Sequence, residues 1–127
     1  MLAETVPFWT VDSAATDHVA RDRTSFVEFR RISKGSRCIY MGNNAFAAVL
    51  GISTCKLELR GGHTLYLHDV LYVPEVRQNL VSVLVLLELG FSIMFENDCV
   101  KILLDNVYYG SEYFLNGCHN GFPPRLG

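Results

Sequence analysis

Trp9-Thr10-Val11-Asp12-Ser13-Ala14-Ala15-Thr16-Asp17-His18 is the stretch that the rest of the chain is laid out around. The apolar run 8–11 delivers Asp12 at its end, and three small residues follow at once. That pattern predicts a strand running into a tight turn with one carboxylate at its tip. Small residues there let backbone amides and a substrate come close to the acid. An isolated Asp-Ser pair is most often an ordinary turn. The layout of the remaining residues sets this one apart.

The chain has 127 residues, half of them apolar and 12% aromatic, with a formal net charge of -2. This is a one-domain globular composition, neither disordered nor strongly charged. With 11 basic against 13 acidic residues, no positive excess points to nucleic acid. The local cluster Arg21, Arg23, Arg30, Arg31, Lys34 and Arg37 is interrupted by Asp22 and Glu28 and reads as a solvated surface. Phosphate or nucleic-acid binding there is the weaker reading.

Cys38, Cys55, Cys99 and Cys118 lie far apart, and three of them fall within apolar runs, where free cysteine behaves as a small core residue. Cys118-His119 has no second ligand pair at metal spacing. No metal site and no cofactor are expected. Residues 1–7 are short and acidic and lack the hydrophobic core of a signal peptide. The mostly apolar stretch 80–89 is about half the ~20 residues needed to cross a bilayer. The expectation is an intracellular, cytoplasmic, reduced protein without membrane contact.

After the Asp12 turn, residues 17–36 are polar and read as a surface loop, with Phe26, Val27, Phe29 and Ile32 as apolar anchors. A strand is expected at 38–41, a turn at Gly42-Asn43-Asn44 and an extended run at 46–52, which together make a hairpin. Asparagine tolerates the left-handed conformations of such a tip. Residues 55–60 alternate strictly, apolar on odd and charged on even numbers, as in an antiparallel strand with one wet face. Gly61-Gly62 turns the chain, 64–67 is another strand, and 70–73 reads as a strand buried on both faces and ended by Pro74.

Residues 80–89 are apolar nearly all round. Asn79 as N-cap and Gly90 just beyond the end favour a helix of two to three turns, with Leu80, Leu84 and Leu87 inward. Strands follow at 91–95 and 99–104, turned at Asn97-Asp98, and a last segment at 107–115 is broken at Gly110-Ser111. The count is about eight short strands and one short helix, which predicts an all-β, closed or nearly closed barrel. The domain is placed at 7–117, with 98–117 as a C-terminal hairpin extension and 118–127 as a loose tail.

Three stretches in this order resemble the retropepsin-like aspartic proteases, most closely the protease region of Copia-type retrotransposon polyproteins. The first runs from Trp9 to His18 and is similar to that family's Trp-x-hydrophobic-Asp-Ser-Gly-Ala-Ser/Thr-x-His. The second, Asp69-Val70-Leu71-Tyr72-Val73-Pro74, is similar to its Asn/Asp-Val-Leu-Tyr-Val-Pro. The third, Asn79-Leu80-Val81-Ser82-Val83 followed by Leu86 and Gly90, resembles its Asn-Leu-Leu-Ser-Val-x-x-Leu with a following glycine. The resemblance covers about residues 9–115. It implies a retropepsin-like acid protease barrel, an endopeptidase acting on a polyprotein, and a cytoplasmic setting within virus-like particles. It assigns catalysis to Asp12, Ser13 and Ala14, and makes the Gly42-Asn43-Asn44 hairpin a candidate substrate-covering flap. An ordinary barrel connection is the equal alternative for that hairpin.

Peptide hydrolysis by carboxylates needs two of them sharing one proton. Asp17, Asp22, Asp69, Asp98 and Asp105 lack the following Ser/Thr and small residue, so one Asp-Ser-small motif is available per chain. The enzyme reading therefore entails a homodimer that pairs two copies of Asp12, with Ser13 bracing the loops as the resemblance implies. The family has glycine where this chain has Ala14. A left-handed conformation there would cost alanine roughly 1–2 kcal/mol, and a close approach would crowd the partner carboxylate. The alternative is a catalytically inactive barrel kept as an assembly or interaction module of the polyprotein. His18 is expected to cap or brace the loop, because a triad with Ser13 would need members from separate elements.

Overall fold

The computed structural model describes residues 9–61, 63–96 and 99–112. Within them the protein is all-β with one short helix, as the patterning predicts. The elements are β1 (Trp9–Asp12), β2 (Val19–Ala20), β3 (Phe26–Arg31), β4 (Cys38–Gly42), β5 (Ala45–Ala48) and β6 (Gly51–Glu58). β7 (Thr64–Tyr72), β8 (Asn79–Ser82), α1 (Val83–Glu88), β9 (Phe91–Glu96), β10 (Cys99–Leu104) and β11 (Val107–Glu112) follow. A six-stranded sheet in the order β1-β8-β2-β7-β6-β3 is flanked by the β4-β5 hairpin and by a three-stranded sheet β11-β10-β9. Among the described residues no sheet closes on itself. The barrel is stitched instead at its rim, where Arg60 and Ser111 exchange backbone hydrogen bonds of 2.8 and 3.3 Å.

β1, β2, β8 and residues 70–71 of β7 are buried on both faces, which explains their mostly apolar runs, whereas β3 and the even-numbered face of β6 lie toward solvent. Val11, Ala20, Val70 and Val81 point into one cluster with Leu65, Leu67, Leu86, Val100 and Ile102. Val19, Leu71 and Val73 point into another with Ala47, Val49 and Val76. The first cluster joins the central sheet to the three-stranded sheet and α1, and the second joins it to the β4-β5 hairpin. Along β6 and just beyond it, Gly51, Ser53, Cys55, Leu57 and Leu59 are all buried, so the odd-numbered face is the inner one as expected. Cys55 is a core residue whose thiol burial pushes up to about 11, leaving it unreactive. Cys38 is exposed, against expectation.

Several expected boundaries move. The predicted loop 17–36 contains β2 and β3. Phe26 stacks on Phe29 at 5.6 Å, both meet Tyr72 edge-on, and the Arg23 guanidinium lies 4.7 Å from the Phe29 ring centre. A register shift between Phe26 and Glu28 interrupts the alternation that would have marked β3 as a strand. The run 46–52 divides at Val49-Leu50, whose amides bond to Arg37 and Tyr72 as the chain passes from hairpin to central sheet. The two strands expected at 64–67 and 70–73 are one, β7, with Asp69 in the left-handed region at φ 56° beside a register shift against β6.

The helix is corrected most. Residues 79–82 form β8, and α1 covers Val83–Glu88 with Ser82 as its N-cap. The Asn79 side chain instead accepts the Arg21 amide at 2.8 Å. Leu86 is the buried residue of α1, while Leu84 and Leu87 are exposed and Leu80 packs from β8 against the second cluster. Gly90, at φ 95°, does end the helix, its amide bonded to the Leu87 carbonyl at 3.1 Å. Residues 107–112 run through Gly110 as one strand, because the ladder shifts at Ile102/Leu103 and Leu59 packs directly on the bare Cα. The Asn97-Asp98 turn, the ends of the expected 7–117 domain and its 118–127 tail lie outside the described residues.

Candidate functional site: the Asp12 loop

β1 and β8 pair in parallel, with Asp12 opposite Ser82. β2 then inserts between β8 and β7, with Val19 opposite both Leu71 and Leu80. The three sequence stretches thus supply β1, β8 and the end of β7, with β2 between the last two, and the loop 13–18 connects β1 to β2. Asp12 is half-buried at the end of β1, the outermost strand of the sheet on that side. Its Oδ1 accepts the Ala14 amide at 2.8 Å, an Asx-type turn that fixes the carboxylate. Ser13 and Ala14 are exposed beside it.

Ala14 is not among the described residues with positive φ, which outside glycine are Asn43, Asn44, Asp69, Asp105 and Asn106. The expected left-handed penalty at Ala14 therefore does not arise within the chain, and its methyl matters only through what approaches the exposed loop.

Both ends of the loop converge on Ser82, which is fully buried. Its hydroxyl donates to the Ala15 carbonyl at 2.6 Å and accepts the Val85 amide at 3.2 Å, capping α1. Its backbone amide donates to His18 Nδ1 at 2.9 Å. An imidazole that accepts at Nδ1 carries its proton on Nε2 and is neutral. His18 is 2% exposed. Burial pushes its pKa down from 6.5 to about 4, against the pull of Asp17, and His68 adds to the fall. His18 therefore braces the loop, as expected, and takes no part in a triad with Ser13.

The Gly42-Asn43-Asn44 tip is a separate turn on the β4-β5 hairpin, whose strands pair only with each other among the described residues. Asn43 and Asn44 at φ 53° and 60° make a two-residue turn with both φ positive, and Gly42 at 93° precedes it at a register shift. The hairpin's inner residues Ile39 and Ala47 join the second core cluster. Its outer residues Tyr40 and Phe46 are exposed, with ring centres 5.2 Å apart. Two adjoining clefts of about 400 and 470 Å³ share Arg30, Ile52 and Asp69, and neither is lined by Asp12, Ser13 or Ala14. In the basic stretch, the Arg21 guanidinium donates to the Arg77 carbonyl at 3.2 Å and Arg37 lies 3.7 Å from Asp17. No group of three or more potential metal ligands is found among the described residues.

Sequence reasoning named the Asp12 turn and missed Ser82. A serine just before a helix, with its hydroxyl free for the amide three residues on, is a standard N-cap signal. Asn79, three residues earlier, carried the same signal and competed with it.

The family described as the Pol polyprotein, beta-barrel domain, matches residues 9–91. The "Retrovirus-related Pol polyprotein from transposon TNT 1-94" of Nicotiana tabacum is 34% identical over 89 residues, covering 70% of this chain and 7% of that protein. A putative transposon Ty5-1 protein of Saccharomyces cerevisiae is 34% identical over 88 residues, covering 65% of this chain and 56% of that protein. The chain thus spans a small part of one relative and about half of the other. The matched segment runs from the start of β1 to the glycine-ended helix and so contains the Asp12 loop, the hairpin and all six strands of the central sheet. The chain belongs to the Pol polyprotein beta-barrel domain family, in the Pol region of retrotransposons.

Proposed function

We propose that this domain is the aspartic endopeptidase of a Copia-type retrotransposon and cuts its polyprotein as a homodimer. The observation that carries the reading is the placement of Asp12. It stands on an outermost strand, oriented by the Ala14 amide and flanked by exposed small residues. A second copy can reach such a carboxylate, and a carboxylate at the bottom of its own core could not serve. In the dimer the two Asp12 side chains share one proton, because two adjacent carboxylates do not both ionise cheaply. The ionised one takes a proton from the attacking water while the protonated one donates to the scissile carbonyl oxygen. The Asn43-Asn44 hairpin, with Tyr40 and Phe46 outward, supplies an apolar cover for an extended peptide.

Hydrolysis of a hydrophobic peptide at mildly acidic pH tests the reading. Asp12→Asn must abolish it. A chain that stays strictly monomeric at high micromolar concentration and cleaves nothing sinks it. The Ala14 methyl supports a second reading, a catalytically inactive assembly module, since it lies exposed on the surface that a partner's loop must approach. Ala14→Gly separates the two. Faster hydrolysis favours a crowded protease. A well-formed Ala14→Gly dimer without cleavage favours the module.

A further inference from the structure

The loop 13–18 has no strand pairing of its own, yet it must present Asp12 in one orientation. Two hydrogen bonds from one buried residue do the fastening. Ser82 lies opposite Asp12 in the β1–β8 ladder, holds Ala15 through its hydroxyl, and holds His18 through its amide. The same hydroxyl caps α1, so the loop, β8 and the helix share one junction.

We propose that Ser82 and His18 are positioning residues for Asp12, and that the junction stands only while His18 offers a bare Nδ1 to the Ser82 amide. The proposal rests on the protease reading for its catalytic consequence and on geometry for the junction itself. Protonating Nδ1 replaces an acceptor with a second donor, which would set two N–H groups against each other at 2.9 Å. Neither can turn to water, because both residues are buried. The ring is faced by Asp17 from its own loop and by His68 from β7, while β8 offers it no titratable side chain. The acid limb of activity then belongs to this junction and not to the paired carboxylates alone.

Two measurements test this. First, ring nitrogen signals of His18 in the intact chain should show bare Nδ1 and protonated Nε2 down to about pH 4. A proton on Nδ1, or titration at the ordinary 6.5, overturns the junction whether or not peptide is cleaved. Second, His18→Asn keeps an acceptor oxygen near the Nδ1 position and cannot titrate. In whichever of the parent and Ala14→Gly backgrounds cleaves peptide, kcat/KM should fall to about half its plateau near pH 4 with His18, and hold close to the plateau with His18→Asn. Ser82→Ala should lower kcat by on the order of tenfold at nearly unchanged KM. An identical acid limb in the folded His18→Asn chain overturns the proposal. If neither background cleaves at any pH while the ring keeps its bare Nδ1, the junction is supported and the protease reading is what fails.

Discussion

At the scale of single residues, His18 links the Asp12 loop to the solution around it. Its pKa lies at about 4 in the folded chain against 6.5 ordinarily, so between these values the unfolded chain binds more protons than the folded one. Stability therefore rises with pH across that window and is lost as pH falls through it, by up to about 3 kcal/mol. Urea midpoints measured from pH 7 to pH 4 should show this loss, and His18→Asn should flatten it. Ala14 acts differently. Because its backbone is not left-handed, Ala14→Gly should lower the unfolding free energy measured in urea by up to about 1 kcal/mol, as expected for a more flexible chain. Any rise in hydrolysis from that change would then come from contact with a partner loop and not from a better-folded one.

At the scale of elements, α1 and β11 show what each short segment contributes. Leu86 is the α1 side chain buried within the first core cluster, with Val100 and Ile102, while the half-buried Val83 packs against that cluster. Leu86→Ala should cost about 2–5 kcal/mol, whereas Leu87→Ala should cost under about 1 kcal/mol. The reverse order in denaturant unfolding would mean the helix packs by another face. In β11 a Cβ at Gly110 would stand 2.6 Å from Leu59 Cβ. Gly110→Ala should therefore destabilise by roughly 1–3 kcal/mol, felt at the Arg60–Ser111 rim that joins the two sheets. The hairpin turns were legible in different degrees. Gly42-Asn43-Asn44 announces itself by composition. Asp105-Asn106, at φ 52° and 68°, makes an equally tight turn that the apolar flanks on either side already mark.

At the scale of the whole molecule, the central sheet is assembled from strands distant in the chain, and this is what brings Asp12 to an outer strand. If two copies then pair, sedimentation over rising concentration should show a monomer–dimer equilibrium. Asp12→Asn should dimerise with an affinity within about tenfold of the parent while losing cleavage. Loss of the dimer together with activity would place Asp12 in assembly and not in chemistry.

The sequence by itself determined the all-β class, the Asp12 turn, the inner face of β6, the hairpin tip and the glycine end of the helix. Each of these follows from local rules: alternation, small residues after an acid, asparagine and glycine at positive φ. Only the tertiary structure decided that 79–82 is a strand and not a helical turn. Its run of Leu, Val and Ser reads equally well either way. The choice was made by pairing with Trp9–Asp12, seventy residues earlier in the chain. The same pairing set Ser82 beside Asp12 and closed His18 onto its amide, a junction no window of sequence contains. A side chain's local pattern fixes which way it faces, but which partner it meets depends on contacts made across the whole fold.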